Sequence, residues 1–210
     1  MRNLQRLGKP QKLAENEVKW TEDFKESGKN RPSSSQYGHR DVKEHLGKIS
    51  FQKCFYSEVK FAQITEAQVD HYIEVAEDPE KAFEWENLYL SCKDSNQGKT
   101  PNIVLSNASC LCPFIDSDTE INQHLDFEDE IIFGLTVKGR NTIQKYNLDK
   151  PIFNTLRTNE LKKFNKLIYE IALENRVLDD NLKNILKSFA NPDKPFSLMF
   201  RKKLMKHNLL

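Results

Sequence analysis

Three short stretches carry the side chains best suited to chemistry: Val69-Asp70-His71, Trp85-Glu86-Asn87-Leu88 and Ser91-Cys92-Lys93-Asp94-Ser95-Asn96. Together they could hydrolyse a phosphodiester with the help of a metal ion. That reaction needs a base to activate water, a hard cation on the scissile phosphate and leaving oxygen, and rigid ligands for the cation. Neighbouring residues on a strand point to opposite sides, so Asp70 can offer an oxygen to the metal while His71 offers an imidazole to water. Asn96, late on a helix expected to pack under that strand, adds a further ligand. Asn87, at the start of the same helix, can tie down the intervening loop with its amide and keep the imidazole oriented. A lone Asp-His pair is more often structural; the company of Asn87, Cys92 and Asn96 at this spacing turns the reading toward catalysis.

Cys54-Phe55-Tyr56-Ser57 and Cys92-Lys93-Asp94-Ser95 look like Cys-x-x-Cys pairs with serine in the second place. A serine hydroxyl is a poor zinc ligand, because it does not deprotonate readily and is harder than thiolate. Cys54, Cys92, Cys110 and Cys112 follow a start, Met1–Arg6, that has no apolar block, so they are expected to be thiols in a soluble, cytoplasmic protein. No apolar run approaches the ~20 residues needed to cross a bilayer. A hydrophobic content of 38%, a charged content of 30% and a mean hydropathy of −0.70 exclude collagen-like, coiled-coil and membrane classes.

The elements that must position these residues are expected as follows. Residues 1–35 read as a mobile basic arm or linker with a short helix around Glu15–Phe24 and a Gly/Pro/Ser-rich stretch, Gly28–Ser35. Val42, Leu46 and Ile49 predict a helix over Asp41–Ile49. Phe51–Phe61 predicts a strand or hairpin, and Gln68–Ile73 an extended segment. Glu84–Gln97 reads as a helix stopped by Gly98-Lys99, with Leu88 and Cys92 at helical spacing. Residues 100–130 read as a long loop with an acidic run, Ile131–Val137 as a strand, and Leu156–Asn175 with Val177–Ala190 as a helical pair before the basic tail Arg201–His207. The stripe of Phe164, Tyr169 and Phe189 is expected in the core.

Charge is segregated along the chain. Residues 1–60 hold 13 Lys/Arg against 8 Asp/Glu, residues 61–140 hold 5 against 16, and residues 141–210 hold 14 against 7. An acidic middle between basic flanks suits a metal centre gripping a polyanion, although solvated helix faces would account for it as well. His124, with Asp116, Asp118 and Asp126, could bind a second cation or simply lie in a solvated loop. The Arg201–Lys206 run reads equally as a phosphate contact or a solvated tail.

Lys53-Cys54, Asp70-His71, Trp85-Glu86-Asn87-Leu88 and Cys92-Lys93-Asp94-Ser95-Asn96, in this order, resemble the HNH (ββα-metal) endonuclease family, whose members often carry zinc knuckles. Met1–Arg6 with Trp20-Thr21 is similar to the branch found as the nuclease subunit of Septu anti-phage systems and with some retrons. The resemblance extends to about Arg157. It implies His71 as general base, Asp70 and Asn96 as ligands of Mg²⁺ or Mn²⁺, and Asn87 as the positioning amide. It implies a larger ABC-type ATPase partner (PtuA-like), in some systems a retron reverse transcriptase with its msDNA, and a DNA or RNA substrate. Two features depart from the family. The structural zinc is expected to be lost at Cys54, Ser57, Cys92 and Ser95, with packing around Phe55, Tyr56 and Trp85 replacing it, unless Cys110 and Cys112 rebuild the site. Glu74 also stands where a basic residue often follows the Asp-His strand.

The expectation is thus an α+β protein: a basic N-terminal arm or linker (1–40), a ββα-metal nuclease core with a long acidic loop (41–140), and a C-terminal helical region with a basic tail (141–210). A degenerate HNH-like scaffold and a nuclease acting alone are the alternatives.

Overall fold

Leu88-Tyr89-Leu90-Ser91 are all buried, and this run decides the centre of the fold. A helix would turn four consecutive residues through all its faces, whereas a strand covered on both sides accommodates them. They form β2 (Leu88–Ser91), which pairs antiparallel with β1 (Gln68–His71), setting Asp70 opposite Tyr89 and His71 opposite Leu88. The helix expected over Glu84–Gln97 is therefore three pieces: a 3-10 turn at Trp85–Asn87, β2, and one helical turn, α4 (Lys93–Asn96). Gly98, with φ of +86°, does end the segment. The extended reading of Gln68–Ile73 holds for β1, and Tyr72 N–H continues the ladder to Asn87 O at 2.9 Å.

The structure is a computed structural model that describes residues 1–174 and 178–210. It is mixed α and β, about 52% helical, with two small antiparallel sheets. Ahead of β1 stand α1 (Gln11–Glu26), the single turn α2 (Ser34–Tyr37) and α3 (Arg40–Ser50), where Val42, Leu46 and Ile49 are buried as their spacing requires. The segment read as an arm is packed along the core rather than free: Leu13 and Met1 are buried, and Trp20 and Phe24 of α1 press on Phe83. Arg6 lies over the Trp85, Tyr89 and Phe114 rings, 3.8 Å from the last, and donates to Leu88 O and Glu86 O at 2.8 Å. Phe51–Phe61 is a tight turn closed by the Lys53–Lys60 bridge, docked on β2 by Phe55 N–H to Leu90 O at 2.9 Å.

The stretch read as a long acidic loop contains α5 (Asp118–His124), with a capping box of Ser117 and Glu120, and β3 (Leu125–Glu128). β3 pairs with β4 (Ile131–Gly134), shorter than the expected strand because Val137 already opens α6 (Val137–Tyr146). Then come α7 (Pro151–Leu173), begun by Pro151, α8 (Asp180–Ser188) and α9 (Ser197–Lys206). The expected helix limits at Asn175 and Val177 lie outside the described residues. Phe164, Phe189 and Phe200 cluster with centroids 5.1–5.5 Å apart, but Tyr169 is 62% exposed and is no part of the core.

The charge segregation is largely answered within the chain. Lys206 reaches Asp126 and Glu128, Lys203 reaches Asp129, Arg201 and Arg2 reach Asp118, and Lys138 pairs with Asp116. Such partly exposed pairs contribute only about 0–1 kcal/mol each, yet they direct the tail's cations onto the acidic middle. Among the described residues no helix is long and apolar enough to cross a membrane.

Candidate active site

Asp70, His71 and Asn96 line one cleft of about 830 Å³. β1 carries the first two. Asn96 arrives because β2 returns antiparallel beside β1 and α4 turns back beneath it, with Asn96 Nδ2 donating to Gln68 Oε1 at 3.0 Å. That leaves the Asn96 side-chain carbonyl free to act as an oxygen donor.

Asn87 stands behind the cleft. Its Oδ1 accepts from Ile73 N–H at 2.6 Å, and its Nδ2 donates to Ile73 O at 3.0 Å and Lys81 O at 2.9 Å. The loop between β1 and the Trp85 turn is thereby closed on itself. His71 Nε2 donates to Ala82 O, in the same loop, at 2.8 Å, so the neutral ring carries its lone pair on Nδ1. Burial holds the His71 imidazole below the ordinary histidine value, which keeps it neutral near pH 7. Tyr37 of α2 packs 4.6 Å from the imidazole, centroid to centroid.

The Asp70 carboxylate is buried and accepts three hydrogen bonds from two side chains. Tyr56 Oη donates to Oδ2 at 2.8 Å, and Lys99 Nζ donates to Oδ1 at 2.8 Å and Oδ2 at 2.9 Å. Tyr56 is fixed in turn by stacking on Tyr146 at 3.8 Å. Glu74 lies on the cleft wall and accepts from Asn102 N–H at 3.0 Å, so it holds a loop. Two cations, Arg31 and Lys43, line the same cleft without an ion pair to any described residue. Lys43 is held below the usual lysine value by burial alone. Sequence reasoning passed over Tyr37, Lys99, Arg31 and Lys43 as site residues and gave Tyr56 only a packing role; the adjacency of Lys99 to the turn glycine Gly98 was the available signal.

The four knuckle positions converge. Ser57 N–H donates to Cys54 Sγ at 3.5 Å, and Cys92 Sγ lies 3.5 Å from Ser57 Oγ and 3.4 Å from Ser95 Oγ. Burial works against the Cys54 thiolate, but hydrogen bonds from Cys92 and Ser57 outweigh it and hold that thiol below its ordinary value. Cys112 sits elsewhere, 3.3 Å from Tyr89 Oη, while Cys110 is held near Ser109 and Lys145. Among the described residues no three His, Cys, Asp or Glu side chains gather to hold a metal, so the four thiols do not form one site. Packing at the turn falls to Phe55, against Tyr89 and Phe114, and to Tyr56, whereas Trp85 packs under Arg6.

The second-cation cluster is not assembled either. His124 Nδ1 shares a hydrogen bond with Thr136 Oγ1 at 2.6 Å, and Asp116, Asp118 and Asp126 each face a cation of the chain itself.

A β–β–α cleft with an acid, an imidazole and two amides is the class of site the fold defines. No protein-family model matches the chain. It is similar to Septu protein PtuB of Bacillus thuringiensis, 26% identical over 151 residues, which are 71% of this chain and 55% of that protein. The relationship is distant, and the chain spans little more than half the length of that relative.

Proposed function

We propose that the chain is a metal-dependent HNH-type endonuclease and the nuclease subunit of a Septu-type anti-phage system. The observation that carries this reading is the loop clamp. Asn87 fixes Ile73 and Lys81, Ala82 fixes His71 Nε2, and the free Nδ1 is left as the base that takes a proton from water. Similarity to Septu protein PtuB supports the defence assignment.

Asp70 and the Asn96 side-chain carbonyl are hard oxygen donors and would hold Mg²⁺ or Mn²⁺. Such an ion, when bound, would supply positive charge to offset the negative charge that develops on the phosphate and the leaving oxygen. Ser57 and Ser95 fit no structural zinc. The chain's own residues do the rest: Tyr56 orients Asp70, Tyr37 shields the imidazole, and Arg31 and Lys43 grip backbone phosphates of a DNA or RNA substrate. An ABC-type ATPase subunit is the partner this reading implies, with a retron reverse transcriptase and its msDNA in some assemblies.

One observation favours a degenerate scaffold instead: Lys99 already neutralises Asp70. A His71→Ala variant, assayed beside the unaltered chain and its complex with Mg²⁺ and both nucleic acids, separates the readings. The nuclease reading expects cleavage to fall about 10²–10⁴-fold; equal activity hands the case to the scaffold. Activity of the isolated chain would make the ATPase dispensable for cutting.

A further inference from the structure

The contacts around Lys99 give it a place that neither the loop clamp nor the knuckle explains. Its ammonium touches three oxygens: Asp70 Oδ1 at 2.8 Å, Asp70 Oδ2 at 2.9 Å and His71 O at 2.8 Å. Both side chains are nearly closed to solvent, at 8% and 6% exposed. A carboxylate engaged through both oxygens, joined by a backbone carbonyl, is the kind of oxygen set that a hard divalent cation takes. A buried carboxylate without a counter-charge would be costly, so something positive must stand there when no metal does.

We propose that the Lys99 ammonium is an internal stand-in for the divalent ion, holding Asp70 in the metal-free protein and yielding the carboxylate when the metal binds. This rests on the reading of Asp70 as a metal ligand. The local chain is built for such an exchange. Lys99 follows Gly98, whose φ of +86° makes a turn, and Lys99 N–H bonds to Asn96 O at 3.2 Å. The stand-in and the second proposed ligand therefore share one turn, and the long lysine stem can swing while the turn stays in place. The cleft that Lys99 lines gives the displaced ammonium somewhere to go. The consequence is competition: the metal must first dislodge a cation already in place, and the lysine lowers the fraction of protein ready to receive it.

The test is Mn²⁺ binding to the full chain at pH 8, read from loss of the free-ion electron paramagnetic resonance signal. Thermal unfolding with and without Mn²⁺ accompanies it. Lys99→Met is expected to bind Mn²⁺ about tenfold tighter than the unaltered chain, as it should if the lysine leaves roughly one molecule in ten competent. The same variant should unfold earlier without metal and gain more from it. Lys99→Gln, which keeps a donor but no charge, should show the same direction if Lys99→Met does not fold. Binding no tighter than in the unaltered chain, with Asp70→Asn abolishing it, overturns the stand-in and leaves Asp70 as a metal ligand. Absence of binding in the unaltered chain and every variant overturns both the stand-in and the metal centre.

Discussion

Asn87 and Ile73 are joined by a pair of hydrogen bonds, side-chain amide to backbone, at 2.6 and 3.0 Å. The pair spans the loop that carries Ala82, the partner of His71. Asn87→Asp keeps the acceptor but turns the donating side toward Ile73 O and Lys81 O into a repulsive one. The loop and the imidazole should loosen together. Cleavage is expected to fall about 100-fold, as for other residues that orient a catalytic group. Steady-state kinetics on the complex, with thermal unfolding alongside, checks this; unchanged kcat would mean that the clamp does not serve the base.

Glu58 sets a pH dependence of stability. Burial alone would raise its carboxyl, but the Lys53 ammonium and the Met1 amino group, with the Ser197 hydroxyl, hold it well below the ordinary glutamate range. A folded-state value below the unfolded one means stability that is full above about pH 4.3 and is lost as pH falls through the lower, folded value. Glu58→Gln should therefore flatten the acid side of the stability curve and cost about 3 kcal/mol at pH 7, because it strands a buried lysine. Urea unfolding between pH 3 and 7 decides the matter; parallel curves for the two proteins would refute it.

Arg31 and Lys43 line the cleft without an ion pair to any described residue. If they hold phosphates, each alanine substitution should weaken nucleic-acid binding regardless of sequence and lower the salt slope by about 0.9 for duplex. The folded state should be untouched. Binding titrations at several salt concentrations give the slope directly, and an unchanged slope would remove these residues from the interface.

How much of this was legible beforehand follows from the range of each interaction. α3 was readable because Val42, Leu46 and Ile49 fall on one buried face, and β1 because the segment Gln68–Ile73 around it carries Val69, Tyr72 and Ile73, residue types that favour an extended chain. The grouping of Asp70, His71 and Asn96 was within reach because a strand, a returning strand and a turn bring them together locally. Glu84–Gln97 misled because Leu88 and Cys92 imitate helical spacing, and only burial of all of Leu88–Ser91 on both faces shows the strand. The wall formed by Arg31, Tyr37 and Lys43 was hidden, since Gly/Pro/Ser content reports local flexibility and not what a segment packs against. Likewise the acidic middle and the basic tail showed their charge in the sequence but not that they would face each other.

Cys54, Ser57, Cys92 and Ser95 bring two sulfurs and two hydroxyls together in one buried cluster. Sulfurs in a tetrathiolate zinc site lie about 3.8 Å apart, given Zn–S bonds of about 2.3 Å. The present Cys–Ser contacts, at 3.4 and 3.5 Å, differ from that by only a few tenths of an ångström. Both serine hydroxyls lie against Cys92 Sγ, and Ser57 N–H donates to Cys54 Sγ. Restoring two sulfurs should therefore rebuild the site without moving the backbone. The double variant Ser57→Cys, Ser95→Cys is expected to bind one zinc per chain, to show the visible absorption of tetrathiolate cobalt when Co²⁺ is substituted, and to unfold at higher temperature in a zinc-dependent way. Cleavage should persist, because Asp70, His71 and Asn87 are unaltered. Substoichiometric or weak zinc in that variant would mean that the two turns are an ordinary hydrogen-bonded pair, unrelated in geometry to a metal knuckle.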